Sequence, residues 1–255
     1  MAQAIRLARQ GVYSTHPNPN VGCVIVAQGN VVGCGWHQQA GGAHAEIHAL
    51  REAGEKACNA DVYLTLEPCS HHGRTPPCAE ALVDAGVRRV VVAMQDPNPL
   101  VAGQGLGRLR QAGIAVETGL METQARAMNP GFVSRMQRGR PWVTIKLASS
   151  LDGRTAMASG ESKWISGDAA RRDVQRLRAR SSAIVTGIGT VIADDPSMNV
   201  RLDALQLNGV EPVRQPRRVV MDPRGRMPVQ AKVLSVPGPP LLRAAAPGAE
   251  RRRAL

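Results

Sequence analysis

Aromatic side chains are scarce in this 255-residue chain, where three Trp, two Tyr and one Phe make up only 2% of the residues. A stacking platform for single-stranded nucleic acid needs a series of rings and is therefore poorly supplied. Long apolar runs are missing too. Val87 to Met94 is among the longest and is interrupted by Arg88 and Arg89; it falls far short of the roughly 20 residues of a membrane span. Arg6 and Arg9 occupy the stretch where a secretion signal needs an unbroken apolar core. The expectation is a protein of the cytoplasm with no membrane partner. Cysteine and histidine are absent after Cys78: all five Cys and all six His lie between His16 and Cys78. Five is an odd number. In a reducing compartment a disulfide framework is the weaker explanation of that cluster and a metal site the stronger.

At 43% hydrophobic and 20% charged residues, the chain reads as globular, with room for two modest domains. Its net charge of +12 is uneven, with +3 in residues 1–140 and +9 in residues 141–255. Such a basic half suits nucleic acid, small phosphorylated ligands that take Arg partners, or simply a solvated surface.

Periodicity and punctuation give the organisation. Ala2 to Gln10 reads as a short helix closed by Gly11, and Val21 to Ala27 with Val31 to Trp36 as a hairpin joined at Gln28, Gly29 and Asn30. The period then alternates: helix from His44 to Ala53, strand from Asp61 to Leu66, helix from Cys78 to Ala85, strand from Val87 to Met94. Helix 107–112, strand 114–118 and helix 122–137 extend the pattern, which predicts a three-layer α/β sheet with some parallel pairing. Gly139, Arg140 and Pro141 mark a boundary, giving domains 1–139 and 140–255. The second is expected to hold a strand at 142–147, a helix from a capping Asp168 to Arg180, and strands at 182–186 and 217–221. After Val236 the composition turns to a low-complexity tail, 237–255, that reads as disordered or aberrant.

The chemistry lies in His44, Glu46, Cys69 and Cys78. A His at one helix opening, a Cys after the next strand and a Cys at the next helix opening, with a Glu that is not a ligand, are the parts of a zinc deaminase site. Zinc favours imidazole and thiolate, three protein ligands leave a fourth position open, and hydroxide becomes available near neutral pH. Glu46 is the expected catalytic residue, carrying protons from water to the ring and the leaving ammonia. A zincin protease is excluded, because Glu46 follows His44 by two residues rather than one. Cys23, Cys34 and Cys58 read as packing residues, and His16, His37 and His48 as structural.

Eight residues separate Cys69 from Cys78, where the short form of the signature has two. The stretch TLEPCSHHGRTPPC at 65–78, with HPNPNVGCVIV at 16–26 and MQDPNPLVAGQG at 94–105, closely resembles the bifunctional RibD family of riboflavin biosynthesis, as does the chain through about Arg201. The resemblance implies a cytidine deaminase-like three-layer αβα domain that converts 2,5-diamino-6-(5-phosphoribosylamino)pyrimidin-4(3H)-one to 5-amino-6-(5-phosphoribosylamino)uracil. It implies Zn2+ on His44, Cys69 and Cys78. Beside it, Arg74 is the candidate for the substrate phosphate, being able to bind it through two hydrogen bonds, and Asn18 and Asn20 for the ring edge. His71 and His72 read as loop or substrate-contact residues.

In that family a dihydrofolate reductase-like α/β domain follows and uses NADPH to reduce the ribosyl chain to ribityl. By resemblance Ala148, Trp164, Thr190 and Asp194 contact NADPH, while Ser162, Arg178, Met198 and Arg201 contact the phosphorylated substrate. The family continues beyond the point where this chain stops matching it, so the second domain is expected to be incomplete and its reductase impaired. The partner expected is a small phosphorylated pyrimidine rather than nucleic acid, and a homo-oligomer is compatible with the sequence. Two alternatives stand beside this reading. One is a deaminase of nucleosides or transfer RNA. The other is a basic binding protein whose zinc is purely structural, with His71 or His72 as fourth ligand.

Overall fold

A computed structural model describes residues 1–70, 77–236, 238 and 240–243, the last four by their backbone. The chain separates into two compact units, Met1–Thr144 and Ile145–Leu255. Among the described residues no helix is long and apolar enough to cross a membrane.

The first unit runs α1 (Ala2–Ala8), β1 (Gly22–Ala27), β2 (Asn30–Trp36), α2 (Ala45–Ala53), β3 (Asp61–Leu64), α3 (Cys78–Asp84), β4 (Arg89–Val92), α4 (Gln104–Gln111), β5 (Ala115–Thr118), α5 (Glu122–Met128) and α6 (Pro130–Arg138). Its five strands are ordered β2-β1-β3-β4-β5. β1 is antiparallel to both β2 and β3, whereas β3, β4 and β5 run parallel. The expected hairpin forms, with Gln28 and Gly29 both at positive φ, as a two-residue primed turn requires.

Alternation along the strands produces three layers. Cys23, Ile25, Val62, Leu64, Val90 and Val92 point to one face, where they pack with Ala45 and Ala49 of α2, Leu82 of α3, and Leu106 and Leu109 of α4. On the opposite face lies α1, and Ala125, Phe132 and Val133 of α5 and α6 join Leu66, Ala93 and Met94 there. Two strands admit a helix at backbone distance. A Cβ on Gly33 or Gly35 of β2 would stand 2.2 or 2.1 Å from the Ala49 or Ala45 carbonyl of α2, and one on Gly22 of β1 would stand 2.0 Å from the Ala4 carbonyl of α1. Off the faces, Asp61 opens β3 with ion pairs to Arg88 and Arg89, both at 2.7 Å.

The second unit contains α7 (Asp168–Arg180), β6 (Ala183–Gly187), α8 (Ile188–Asp194), β7 (Arg217–Met221), α9 (Lys232–Ser235) and β8 (Pro240–Arg243). Its sheet, β6-β7-β8, is parallel throughout. A small cluster of Ile188, Val191, Val220, Met227, Ala231 and Val233 forms its core.

Several elements depart from the sequence reading. The helix expected from 122 to 137 breaks at Asn129, because Pro130 has no N–H to donate and disfavours helical backbone in the residue before it. The cap of α7 is Gly167, and Asp168 takes the first helical position instead. The strand expected at 142–147 does not form: Trp142, Val143, Ile145 and Leu147 are 56 to 80% exposed. A strand persists only with a ladder partner, and the sheets of the described residues offer this segment none. Conversely, β8 lies in the tail, where the sequence showed no strand.

The helix–strand approach makes a paired prediction. Gly33→Ala should lower unfolding free energy by about 1–3 kcal/mol through overpacking against α2. Gly107→Ala, in α4 with open space around it, should raise it by up to about 1 kcal/mol. Urea midpoints of the two variants should therefore move in opposite directions, and a Gly33→Ala midpoint equal to the parent's would refute the packing argument.

Candidate metal centre

The pairing registers bring one end of four strands together. Gly22 pairs with Trp36, Cys23 with Leu64, and Leu64 with Val92. The chain entering β1 and the chains leaving β2, β3 and β4 therefore meet along a single edge. Binding sites of open α/β sheets favour the carboxyl ends of strands, and the candidate residues gather here.

His44 caps α2 with extended backbone (φ −77°, ψ 166°), and Glu46 is the second helical residue, held down by the α2–β2 approach. Beyond β3, the Thr65 side chain accepts the Gly22 N–H at 3.0 Å, and the Thr65 N–H donates to the Gly22 carbonyl at 3.1 Å. The chain then delivers Cys69, while Cys78 opens α3. His44 Nδ1 lies 3.2 Å from Cys78 Sγ and 3.6 Å from Cys69 Sγ. The Cys78 N–H donates to Cys69 Sγ at 3.3 Å.

Among the described residues, His44, Cys69 and Cys78 form the His, Cys, Asp or Glu group that could hold a metal, with ligand atoms all within 4.8 Å of one another. Tetrahedral zinc, with bonds of about 2.0–2.3 Å, places its donor atoms roughly 3.5–3.8 Å apart. The 3.6 Å separation and the mixed thiolate and imidazole donor set fit that ion, and the 3.2 Å separation is a few tenths of an ångström shorter than it requires.

The electrostatics match. The Cys69 thiol is lowered to about 4, chiefly by its hydrogen bond with Cys78, with His44 and the Cys78 N–H adding to it. That same bond, and then burial, pushes Cys78 up. His44 is raised by its bond to Cys69, against burial. Glu46 is 3% exposed, and burial pushes its carboxyl up to about 7, opposed by a backbone N–H bond and by His44. It is thus poised to gain and lose a proton near neutrality.

Asn18 and His37 line the same edge. Asn18 Nδ2 donates to His37 Nε2 at 3.1 Å, and His37 Nδ1 donates to the Ala43 carbonyl at 3.1 Å. Burial lowers the pKa of His37, and its ring stands edge-on to His44 at 5.4 Å. The imidazole that the sequence reading left as structural thus orients Asn18. Asn20 is engaged within the fold. Its Oδ1 accepts from Thr15 at 2.8 Å, and its Nδ2 lies 3.1 Å from Asn129 Oδ1 and 3.3 Å from the Met128 carbonyl. Asn129 also takes the Asn20 N–H at 2.7 Å and returns a bond to its carbonyl at 2.9 Å. This partnership spans 109 residues and carried no local signal. Arg74, His71 and His72 lie outside the described residues. Cys23 is buried in the core, Cys34 accepts from Gln3 at 3.5 Å, and Cys58 is exposed.

In the second unit, Ala148 lines a cavity of about 380 Å³ with Ile165, Ser166 and Val174. Trp164 is exposed beneath the Arg171 guanidinium, 4.6 Å from its ring centre. Ser162 donates to Asp194 at 3.3 Å, and Thr190 lies exposed on α8. Arg178 donates to the Asn199 carbonyl at 3.0 Å, and Arg201 to Ser197 at 3.2 Å. Met198, at positive φ, lies between those partners. Burial and the neighbouring Arg201 charge both lower the pKa of Arg178.

Comparison with known proteins bears on both units. Residues 1–94 match the cytidine and deoxycytidylate deaminase zinc-binding region, and residues 141–253 match the RibD C-terminal domain. That second match runs past Val236, where the sequence reading let the family pattern stop. The riboflavin biosynthesis protein RibD of Escherichia coli (strain K12) is 58% identical over 243 residues, which are 93% of this chain and 66% of that protein. The chain thus spans slightly under two thirds of that relative's length. The solved structure of Acinetobacter baumannii RibD (form 1) is 55% identical with a TM-score of 0.90, covering 99% of this chain and 70% of that one. A Thermotoga maritima structure, described as a diaminohydroxyphosphoribosylaminopyrimidine deaminase/5-amino-6-(5-phosphoribosylamino)uracil reductase, is 36% identical with a TM-score of 0.89, covering 98% and 70%. With its layered sheet, its His and Cys at two helix openings, its second Cys beyond β3 and these likenesses along nearly its whole length, the chain belongs to the RibD family of riboflavin biosynthesis proteins.

Proposed function

We propose that the first unit hydrolytically deaminates 2,5-diamino-6-(5-phosphoribosylamino)pyrimidin-4(3H)-one to 5-amino-6-(5-phosphoribosylamino)uracil, a step of riboflavin biosynthesis carried out in the cytoplasm. The observation that carries this reading is a buried carboxyl, Glu46, tuned to about 7 beside three converging zinc donors. His44, Cys69 and Cys78 would hold the ion. Zinc on three protein donors supplies Lewis acidity and one open coordination position.

The remaining chemistry belongs to the chain. Glu46 accepts a proton from the attacking water and passes protons to the ring nitrogen and the departing amine. One C–O bond forms at the amidine carbon, one C–N bond breaks, and ammonia leaves. The low-dielectric pocket that raises the carboxyl's pKa lets it act in both directions without a second residue. Asn18, its amide fixed by His37, which is itself held by the Ala43 carbonyl, is placed to read the polar edge of the ring, while Asn20 holds the loop that presents it. Arg74 is the proposed partner of the phosphate.

For the second unit the reading is NADPH-dependent reduction of the ribosyl chain to ribityl, supported by the match over residues 141–253. The exposed Trp164 indole, the Thr190 hydroxyl and the Ala148 cavity suit a planar nucleotide cofactor, and Asp194 would complete that set. NADPH supplies the hydride, and the protein orients it. Arg178 and Arg201, two like charges held close with one partly buried, suit a substrate phosphate that neutralises both. Met198 lies between their partners Ser197 and Asn199, and Ser162, bonded to Asp194, is the further candidate for the substrate.

Glu46→Gln should lower kcat for ammonia release by about 10²–10⁴-fold while elemental analysis still finds one zinc per chain. Full activity in that variant would move the site into the class of structural zinc, and turnover of cytidine or transfer RNA in place of the pyrimidine phosphate would move the substrate. Cys78→Ser should lose both zinc and activity.

The sequence reading expects an impaired reductase, but the family match through residue 253 supports the opposite outcome: with the deaminated product supplied, the full chain should oxidise NADPH. Arg201→Ala should raise KM for that product by roughly 10- to 100-fold, the worth of one charged hydrogen bond. Failure of the parent chain to bind or consume NADPH would overturn the reductase reading and leave the deaminase one standing.

A further inference from the structure

The chemistry proposed above leaves unused a buried acid two residues before Cys69 and the whole segment from 94 to 106. Glu67 is 5% exposed. Its Oε2 accepts the N–H groups of Asp96 and Gly103, both at 3.0 Å, and its Oε1 those of Gly105 at 2.9 Å and Leu106 at 3.2 Å. Four backbone donors from one segment thus converge on a single carboxyl, filling roughly the four acceptor sites that group offers.

The segment is also built to hold its own shape. The Asn98 N–H bonds to Asp96 Oδ1 at 2.8 Å, the Leu100 N–H to Asn98 Oδ1 at 3.2 Å, and Gln104 Nε2 to the Leu100 carbonyl at 2.9 Å. Gly105 lies so close beneath Pro68 that a Cβ would stand 2.0 Å from the Pro68 carbonyl. Further along α4, Arg108 makes a two-pronged ion pair to Glu80 of α3, at 2.6 and 2.8 Å. These links close a ring: Cys69 is tied through Pro68 and Glu67 to the start of α4, α4 through Arg108 and Glu80 to α3, and α3 opens with Cys78.

We infer that Glu67 is a positioning residue that fixes the Cys69 loop to α4 and thereby sets the spacing of the two sulfurs and the metal affinity of the centre. A Gln at this position would turn two of the four acceptor directions into donors, facing the N–H groups of the segment. The inference rests on the zinc reading of His44, Cys69 and Cys78. A direct hydrogen-bond partner of a metal ligand is worth about 10- to 100-fold in metal affinity; Glu67 acts one link further out, so the low end of that range is expected.

The test measures zinc affinity of the full chain by chelator competition, the thiolate-to-metal absorption of the Co2+-loaded protein, and thermal unfolding of the metal-free forms. Glu67→Gln should weaken zinc by about 10-fold and alter the cobalt spectrum. Gly105→Ala keeps the carboxyl but forces the Pro68 carbonyl aside, and should weaken zinc in the same direction. Asp61→Asn removes a buried acid with two ion pairs elsewhere in the same sheet, and should lower the unfolding temperature without changing zinc affinity. Parental zinc affinity in Glu67→Gln would overturn the inference, as would an equal loss in Asp61→Asn. If Glu67→Gln does not fold, Gly105→Ala decides by the same criterion. A parent chain that binds no zinc overturns the deaminase reading and this inference together; a parent that binds it, with variants that bind equally well, overturns this inference alone.

Discussion

The approach of α2 to β2 governs the first unit. Helices and sheets usually pack through side chains, but here the Ala45 and Ala49 carbonyls stand where the Cβ atoms of Gly35 and Gly33 would be. The helix is pressed onto the strand, and its first turn arrives with little freedom. His44 and Glu46 both sit on that turn. The imidazole is thereby aimed toward the start of α3, and the carboxyl is pressed beneath it into a place with little access to water. Burial raises the pKa of Glu46, and the close seating of α2 on β2 at Gly33 and Gly35 helps to fix where that turn lies.

Topology does the rest of the gathering. Because β1 runs against β2 and β3 while β4 runs with β3, the segments holding Asn18, His37, Cys69 and Glu67 all emerge at one end of the sheet. Residues scattered over about fifty positions become neighbours without any long excursion of the chain. Two helix openings meet there as well, and a helix N-terminus favours negative charge. Cys78 stands in the first turn of α3 and donates its N–H to the Cys69 sulfur, so thiolate character is supported before any ion arrives.

Much of this was legible because the signals are local. The helix openings at His44 and Cys78, the primed hairpin turn and each step from strand to helix are short-range features, and the ligand set could be read from residue types at those openings and at Cys69 after β3. What escaped depended on partners far along the chain. Asn20 looked free to meet a ligand, yet Asn129, 109 residues away, engages its amide; nothing near either residue announces the pair. His37 was assigned to the scaffold and does serve it, but the structure adds that it fixes Asn18. Val143, Ile145 and Leu147 carry strand propensity without a ladder partner and stay exposed, whereas Pro240–Arg243 carries little and forms a strand because β7 lies beside it. Propensity proposes a strand, and pairing decides it.

Two buried glutamates near the same metal centre show how environment divides the labour of one side chain. Glu67 faces four N–H groups, so its oxygens are occupied by backbone and its contribution is geometric. Glu46 has few such partners, and burial dominates, bringing its carboxyl to about 7, where it can exchange a proton. Exchanging those surroundings would exchange the roles: a carboxyl saturated with backbone donors makes a poor shuttle, and one left short of donors cannot hold a loop in register. The distinction lies in the hydrogen-bond partners, which the fold supplies only after the strands have paired, and so the sequence could nominate Glu46 from its place beside His44 but offered no comparable mark for Glu67.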